Sequence, residues 1–244
     1  MANYKDIHGT KVEVRSDDPS NPVNGQVWYN SGTLKGFKVN PVGAWASGGA
    51  LNVGGIFGTS NGMGTQTAGL VGARLQEAGP SPGQKVNTEA YNGSSWTELN
   101  DMNTGRNAAA VGGTQTTALH AGGHGNITAV TESWNGTSWT EVGDLNQAQH
   151  YISGTGSNTA AIVAGGNRAS TPGGNTSVNS ETWDGSSWTE IANLNVGRNG
   201  IALFGTSTSS IGVSGYSTTY TTNVEQWNGS AWTEIAEVNY GKYG

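Results

Sequence analysis

Thr131–Glu141 reads TESWNGTSWTE. Two alternating runs flank Asn135-Gly136, and both of those residues tolerate positive φ, so this is a strong short hairpin signal. A two-residue turn would place Trp134 opposite Thr137, with Trp139 two positions further on. A four-residue loop would place Trp134 opposite Trp139. In either register the two indoles share one face of the sheet. That face is expected to pack against a neighbouring sheet.

The segment recurs as TEAYNGSSWTE (Thr88–Glu98), SETWDGSSWTE (Ser180–Glu190) and VEQWNGSAWTE (Val224–Glu234). Six residues after each last Trp comes an apolar residue and then Asn: Met102-Asn103, Leu145-Asn146, Leu194-Asn195 and Val238-Asn239. A degenerate fifth copy has Trp45 six before Leu51-Asn52. The anchors Trp45, Trp96, Trp139, Trp188 and Trp232 are spaced by 51, 43, 49 and 44 residues. A period near 45 with strand-like content reads as propeller blades of four strands. In the second repeat, Asn107–Gly113 and Thr117–Gly123 are small-residue strands preceding the hairpin. Their Ala, Gly and Ser content suits strands crowded about a central axis. No helical period persists, so the class is all-β.

Composition narrows the function. The 244 residues include 40 Gly, nine Trp and no Cys, and the formal charge is −6. Absence of Cys excludes a disulfide scaffold and a thiolate metal site. Without a basic patch, nucleic acid is not an expected partner. No apolar run of eighteen residues exists, so no spanning helix and no membrane insertion is expected. The start, MANYKDIHGT, lacks the apolar core of a signal peptide. Length permits one large β domain or two small ones.

The repeats resemble the kelch propeller family. Its pattern is a diglycine, an aromatic residue, Trp, a hydrophobic residue, then Arg opening the next blade. The matches are Gly122-Gly123, Trp134, Trp139 and Leu145, then Gly165-Gly166, Trp183, Trp188, Leu194 and Arg198. Arg106 also fits, and Gln149 and Lys242 take the equivalent position elsewhere. The hairpin is shorter than the family's, and the first and last copies lack a clean diglycine. The resemblance implies a kelch-like β-propeller. Five four-stranded blades are expected: 51–100, 103–144, 146–193, 195–237, and a closing blade of 26–50 plus 238–244. Residues 1–25, with Asp17-Asp18-Pro19-Ser20-Asn21-Pro22, read as an extended docking arm.

The segment from about residue 15 to 48 resembles one that recurs in bacteriophage tail-fibre and virion structural proteins, of marine and cyanophage type. The matching positions are Gly25, Val27, Trp28, Tyr29, Asn30, Ser31, Leu34, Lys35, Phe37 and Trp45. This implies a virion location and a displayed role, in a tail fibre, an appendage or a capsid decoration. It brings no catalytic residue.

Chemistry is sparse. The best-known enzyme on a kelch-like scaffold is a copper-radical oxidase whose cofactor needs Cys, which this chain lacks. Its histidines, His8, His120, His124 and His150, offer no three-ligand set of the kind a catalytic zinc uses. No metal and no cofactor is expected. Glutamates recur at 89, 132, 181 and 225, and again at 98, 141, 190 and 234. Two carboxylates can hydrolyse a glycoside, but a pair repeated in every blade argues for structure, with Arg106 and Arg198 as partners. Asn92, Asn135 and Asn228 fit glycosylation sequons and read better as turn residues.

Length variation concentrates between the second and third strands of each repeat: Arg74–Lys85, Gly125–Thr128, Asn167–Val178 and Tyr216–Thr222. Loops on a rigid scaffold are where recognition sits. The candidate ligand- or partner-binding residues are therefore Arg74, Gln76, His124, Asn126, Asn167, Arg168, Asn175, Tyr216 and Tyr220. The expectation is a non-enzymatic virion structural protein present in several copies, joined to other virion proteins by its arm, with a host-surface glycan as ligand. A purely architectural subunit and a secreted bacterial lectin or hydrolase are the alternatives.

Overall fold

A computed structural model describes residues 13–17, 27–30, 33–36, 48–55, 62–76, 83–168 and 176–242. The chain forms two compact units, Met1–Ser47 and Gly48–Gly244. In the first, β1 (Glu13–Arg15) pairs parallel with β2 (Val27–Asn30), which pairs antiparallel with β3 (Thr33–Gly36). β1 lies in the stretch read as an extended arm. Trp45, an anchor of the expected closing blade, falls outside the described residues.

The second unit holds four antiparallel four-stranded sheets, each a meander in chain order. The first is β4 (Gly62–Thr65), β5 (Ala68–Gln76), β6 (Gly83–Tyr91) and β7 (Trp96–Glu98). The second is β8 (Ala110–Gly113), β9 (Ala118–Ala121), β10 (Thr131–Trp134) and β11 (Trp139–Glu141). The third is β12 (Ser153–Gly156), β13 (Ala161–Ala164), β14 (Ser180–Trp183) and β15 (Trp188–Glu190). The fourth is β16 (Ala202–Thr206), β17 (Ser209–Val213), β18 (Val224–Trp227) and β19 (Trp232–Glu234). There is no helix among the described residues. The first strands β4, β8, β12 and β16 neighbour one another in that order. Among the described residues the result is all-β and propeller-like, with four four-stranded sheets in series.

Crowding explains the composition of the first strands. A Cβ on Gly154 would stand 2.9 Å from the Ala110 Cβ, and one on Gly112 would stand 3.2 Å from the Gly156 backbone. The diglycines have their own reason. Gly122 and Gly165 take φ of +67° and +71°, where a side chain is strained. Ala73 and Ser214 adopt the same left-handed conformation at +44° and +58° in the first and fourth sheets, which is why those repeats manage without a diglycine.

Each hairpin between the third and fourth strands of a sheet closes through the four-residue loop. Tyr91 faces Trp96, Trp134 faces Trp139, Trp183 faces Trp188 and Trp227 faces Trp232. Asn135 Oδ1 accepts the amides of Thr137 and Ser138, both at 2.9 Å. That one side chain satisfies two loop donors, and so selects the longer loop. The paired rings lie 5.0 to 5.6 Å apart.

The core lies between successive sheets. Leu70 of the first packs with Met102, Val111 and Trp139. Leu119 of the second packs with Ile152, Val163 and Trp188. Ile162 of the third packs with Ile201, Leu203 and Trp232. The indoles also bond backwards: Trp139 Nε1 donates to Thr88 Oγ1 at 2.8 Å, and Trp188 Nε1 to Thr131 Oγ1 at 3.0 Å.

A second device latches each repeat to itself. Glu132 Oε2 accepts both the backbone amide (2.8 Å) and the Nδ2 (2.9 Å) of Asn103. The same Nδ2 donates to the Trp139 carbonyl at 3.3 Å. Asn52 with Glu89, Asn146 with Glu181 and Asn195 with Glu225 repeat the arrangement. These four glutamates are fully buried. Arg106 and Arg198 lie 3.1 Å from Glu132 and Glu225, the pairing expected of the repeated carboxylates. Burial pulls both guanidinium groups below their usual pKa, and the facing glutamate opposes the shift.

Removing one partner of such a pair strands the other in the interior. Glu132→Ala is expected to cost about 3–5 kcal/mol, and Thr131→Val, which leaves the buried Trp188 Nε1 without its acceptor, about 1–3 kcal/mol. Denaturant midpoints at constant m-value check both.

Candidate functional site: a rim across three repeats

Asn107, His150 and Asn199 occupy one position in successive repeats, directly after Arg106, Gln149 and Arg198. Each forms an isolated antiparallel bridge with a residue beyond the second strand: His124, Asn167 and Tyr216 respectively. The residues that follow, Ala108, Tyr151 and Gly200, are left-handed, with φ of +52°, +50° and +59°. That geometry turns their amides and carbonyls toward the next repeat. The Tyr151 amide donates to the Ala108 carbonyl at 2.7 Å, and the Gly200 amide to the Tyr151 carbonyl at 3.0 Å. The second, third and fourth repeats are thereby stitched into one rim.

Rings and amides populate this rim. The His124 ring lies 5.3 Å from that of His150, at 66°. His150 in turn lies 4.8 Å from Tyr151. Tyr216 and Tyr220 meet edge to face at 5.5 Å, and Tyr220 is 60% exposed. Burial first, and His124 second, lower the His150 pKa to about 4. Inside the second sheet, burial and then Arg106 hold His120 well below the ordinary imidazole range. His120 Nδ1 accepts from Arg106 Nε at 3.1 Å, which suits a neutral ring. Near neutral pH the His150 ring is therefore uncharged, and the rim adds amide and tyrosine donors, acceptors and aromatic faces. Among the described residues no cluster of three or more His, Asp or Glu is placed to hold a metal.

The expected ligand residues divide. His124, Asn167, Tyr216 and Tyr220 come together on the rim. Asn126 is exposed in the short turn beside it. Arg168 is exposed and donates from Nη2 to Ser177 Oγ at 3.3 Å and to Asn179 Oδ1. Asn175 lies outside the described residues. Arg74 and Gln76 do not belong to a loop. They end β5, and Arg74 is fully buried with Nη2 2.7 Å from Glu89 Oε1. The long β5–β6 pair absorbs half of what read as a variable loop, leaving 77–82 between the strands. Of the repeat anchors, Trp139, Trp188 and Trp232 are buried and Trp96 is half-buried.

Asn107, His150, Tyr151 and Asn199 are rim residues that the sequence reading missed. Their signal was available: the position after each Arg or Gln slot reads Asn, His, Asn. No protein-family model matches the chain, and no curated protein matches it.

The depressed His150 pKa has a definite sign. The unfolded chain, with an ordinary imidazole near 6.5, takes up this proton before the folded one does. The contribution of His150 to stability is complete above that value and is lost as pH falls toward about 4. His150→Asn, the residue at this position in the flanking repeats, should lose less Tm than wild type between pH 7 and pH 4.5, measured by thermal melts.

Proposed function

We propose that this protein is a non-enzymatic structural component of a bacteriophage virion, part of a tail fibre, appendage or capsid decoration, and that its rim binds a host-surface glycan. The observation that carries the reading is the composition of the rim. Imidazole, tyrosine and amide groups, held by backbone bonds across three repeats, suit sugar hydroxyls and the apolar faces of pyranose rings. No nucleophile–base pair accompanies them among the described residues. The phage-like pattern of residues 15–48 supports a virion location, with residues 1–25 joining the other virion proteins in a multi-copy assembly.

Purified protein on a glycan array is the direct test. Tyr220→Ala and His124→Ala should each lower binding about tenfold while leaving Tm within about 1 °C of wild type. Equal binding by both variants would sink the rim as the site. Binding to glycans without incorporation into particles by residues 1–25 would instead favour a secreted bacterial lectin.

The reading includes a fifth, closing blade built from 26–50 and 238–244. Two features support it. The amide of Val238 donates to the Thr222 carbonyl at 3.0 Å and that of Gly215 to the Lys242 carbonyl at 2.9 Å. These repeat the bonds of Leu194 to Val178 and of Gly166 to Arg198, so the chain enters a further repeat along the usual path. In addition, Ile211 is 38% exposed, although its counterparts Leu70, Leu119 and Ile162 are 0–2% exposed under the next sheet, and neighbouring Phe204 is 61% exposed. If a fifth blade covers this face, Ile211→Ser will cost more than about 1.5 kcal/mol. In a chain lacking residues 1–50 the same substitution will cost less than about 0.5 kcal/mol.

A further inference from the structure

Each sheet buries one glutamate at the same register point. Glu89 faces Val71, Glu132 faces His120, Glu181 faces Val163 and Glu225 faces Gly212. Three of the four meet a guanidinium, which arrives by two routes. In the second and fourth sheets it belongs to Arg106 and Arg198, at the opening of the repeat. In the first sheet that opening position is Gly55, and Arg74 fills the room from the end of β5. Its Cδ stands 2.9 Å from where a Gly55 Cβ would be.

The third sheet has neither arginine. Its opening residue is Gln149, and the position corresponding to Arg74 is Gly166. The Gln149 side chain follows the arginine path: its Oε1 lies 3.1 Å from where a Gly166 Cβ would be, as Arg106 Cδ lies 3.2 Å from that of Gly123. Glutamine is too short to finish the path. Glu181 Oε2 is engaged by Asn146, but Glu181 Oε1 and both polar atoms of Gln149 are buried without a hydrogen-bond partner. In the second and fourth sheets the guanidinium also donates to the carbonyls of His120 (3.2 Å) and Gly212 (3.4 Å). The register equivalent here is the Val163 carbonyl.

The unpaired atoms here are thus Glu181 Oε1 and the Oε1 and Nε2 of Gln149, and register adds the Val163 carbonyl. A buried carboxylate without a counter-charge is unfavourable. Hard oxygen donors suit alkali and alkaline-earth cations. One carboxylate balances one positive charge, the charge an arginine would bring, and a site with a single carboxylate is poor for a divalent ion. We propose that the third sheet binds a monovalent alkali cation between Glu181 and Gln149, in the place where the other sheets carry a guanidinium.

Thermal melts in sodium, potassium and choline chloride at equal ionic strength test this. Wild type should melt about 5 °C higher in sodium or potassium than in choline. Gln149→Arg, supplying the missing guanidinium, should melt above wild type in choline and equally in all three salts. Crystals of wild type grown with rubidium should show an anomalous peak between Glu181 Oε1 and Gln149 Oε1, a readout that does not need the variant to fold. No peak there, with equal wild-type melting in the three salts, overturns the proposal and leaves water or a protonated carboxyl in the gap. An alkali dependence that persists in Gln149→Arg also overturns it, because the cation then binds elsewhere. Where melts and map differ, the map decides.

Discussion

The second unit depends on one constraint: a glutamate without solvent exposure must be hydrogen-bonded in every sheet, and in three of the four it also meets a guanidinium. Asn103 and Arg106 do this for Glu132 by approaching from opposite sides. The carboxylate therefore fixes where a repeat begins relative to its third strand, and the Asn side chain carries that position on to the Trp139 carbonyl. Apolar packing alone could tolerate a shifted sheet, since Leu, Val and Trp surfaces are forgiving. A buried charge with directional partners cannot shift without large cost. Hydrophobic burial supplies the driving force between sheets, and the latch supplies the register.

The swap between Arg74 and Gly55 makes the same point. The guanidinium and the space for it are retained, while the residue that donates it changes strand. Energy is sensitive to where the charge sits, not to which backbone atom carries it. The reciprocal glycines, Gly55 opposite Arg74 and Gly123 opposite Arg106, are the steric half of this exchange.

What could be read from the residues alone follows the range of the interaction. The Trp hairpins were legible because Asn-Gly chemistry acts over four residues, although the loop length needed the Asn135 side-chain bonds to decide it. The structural role of the repeated glutamates was legible from repetition itself. Arg74 was not, because the register between β5 and β6 shifts between Gly72 and Arg74, around left-handed Ala73, and alternation by twos fails across such an irregularity. The rim was half legible. Loop length pointed to His124, Asn167, Tyr216 and Tyr220, but the bridge partners His150 and Asn199 sit at strand openings seventeen residues before Asn167 and Tyr216, where only the fold unites them with the loops.

Because each latch joins an Asn and a Glu of one repeat, every repeat carries its own means of alignment. Repeated stretches such as Thr131–Glu141 and Ser180–Glu190 are of the kind that unequal exchange between gene copies multiplies. Such an exchange would add or delete a whole sheet together with its own Asn–Glu latch. An ancestral array of this kind could change its number of sheets in one genetic step, and then diversify its rim by point substitution on a scaffold already balanced in charge.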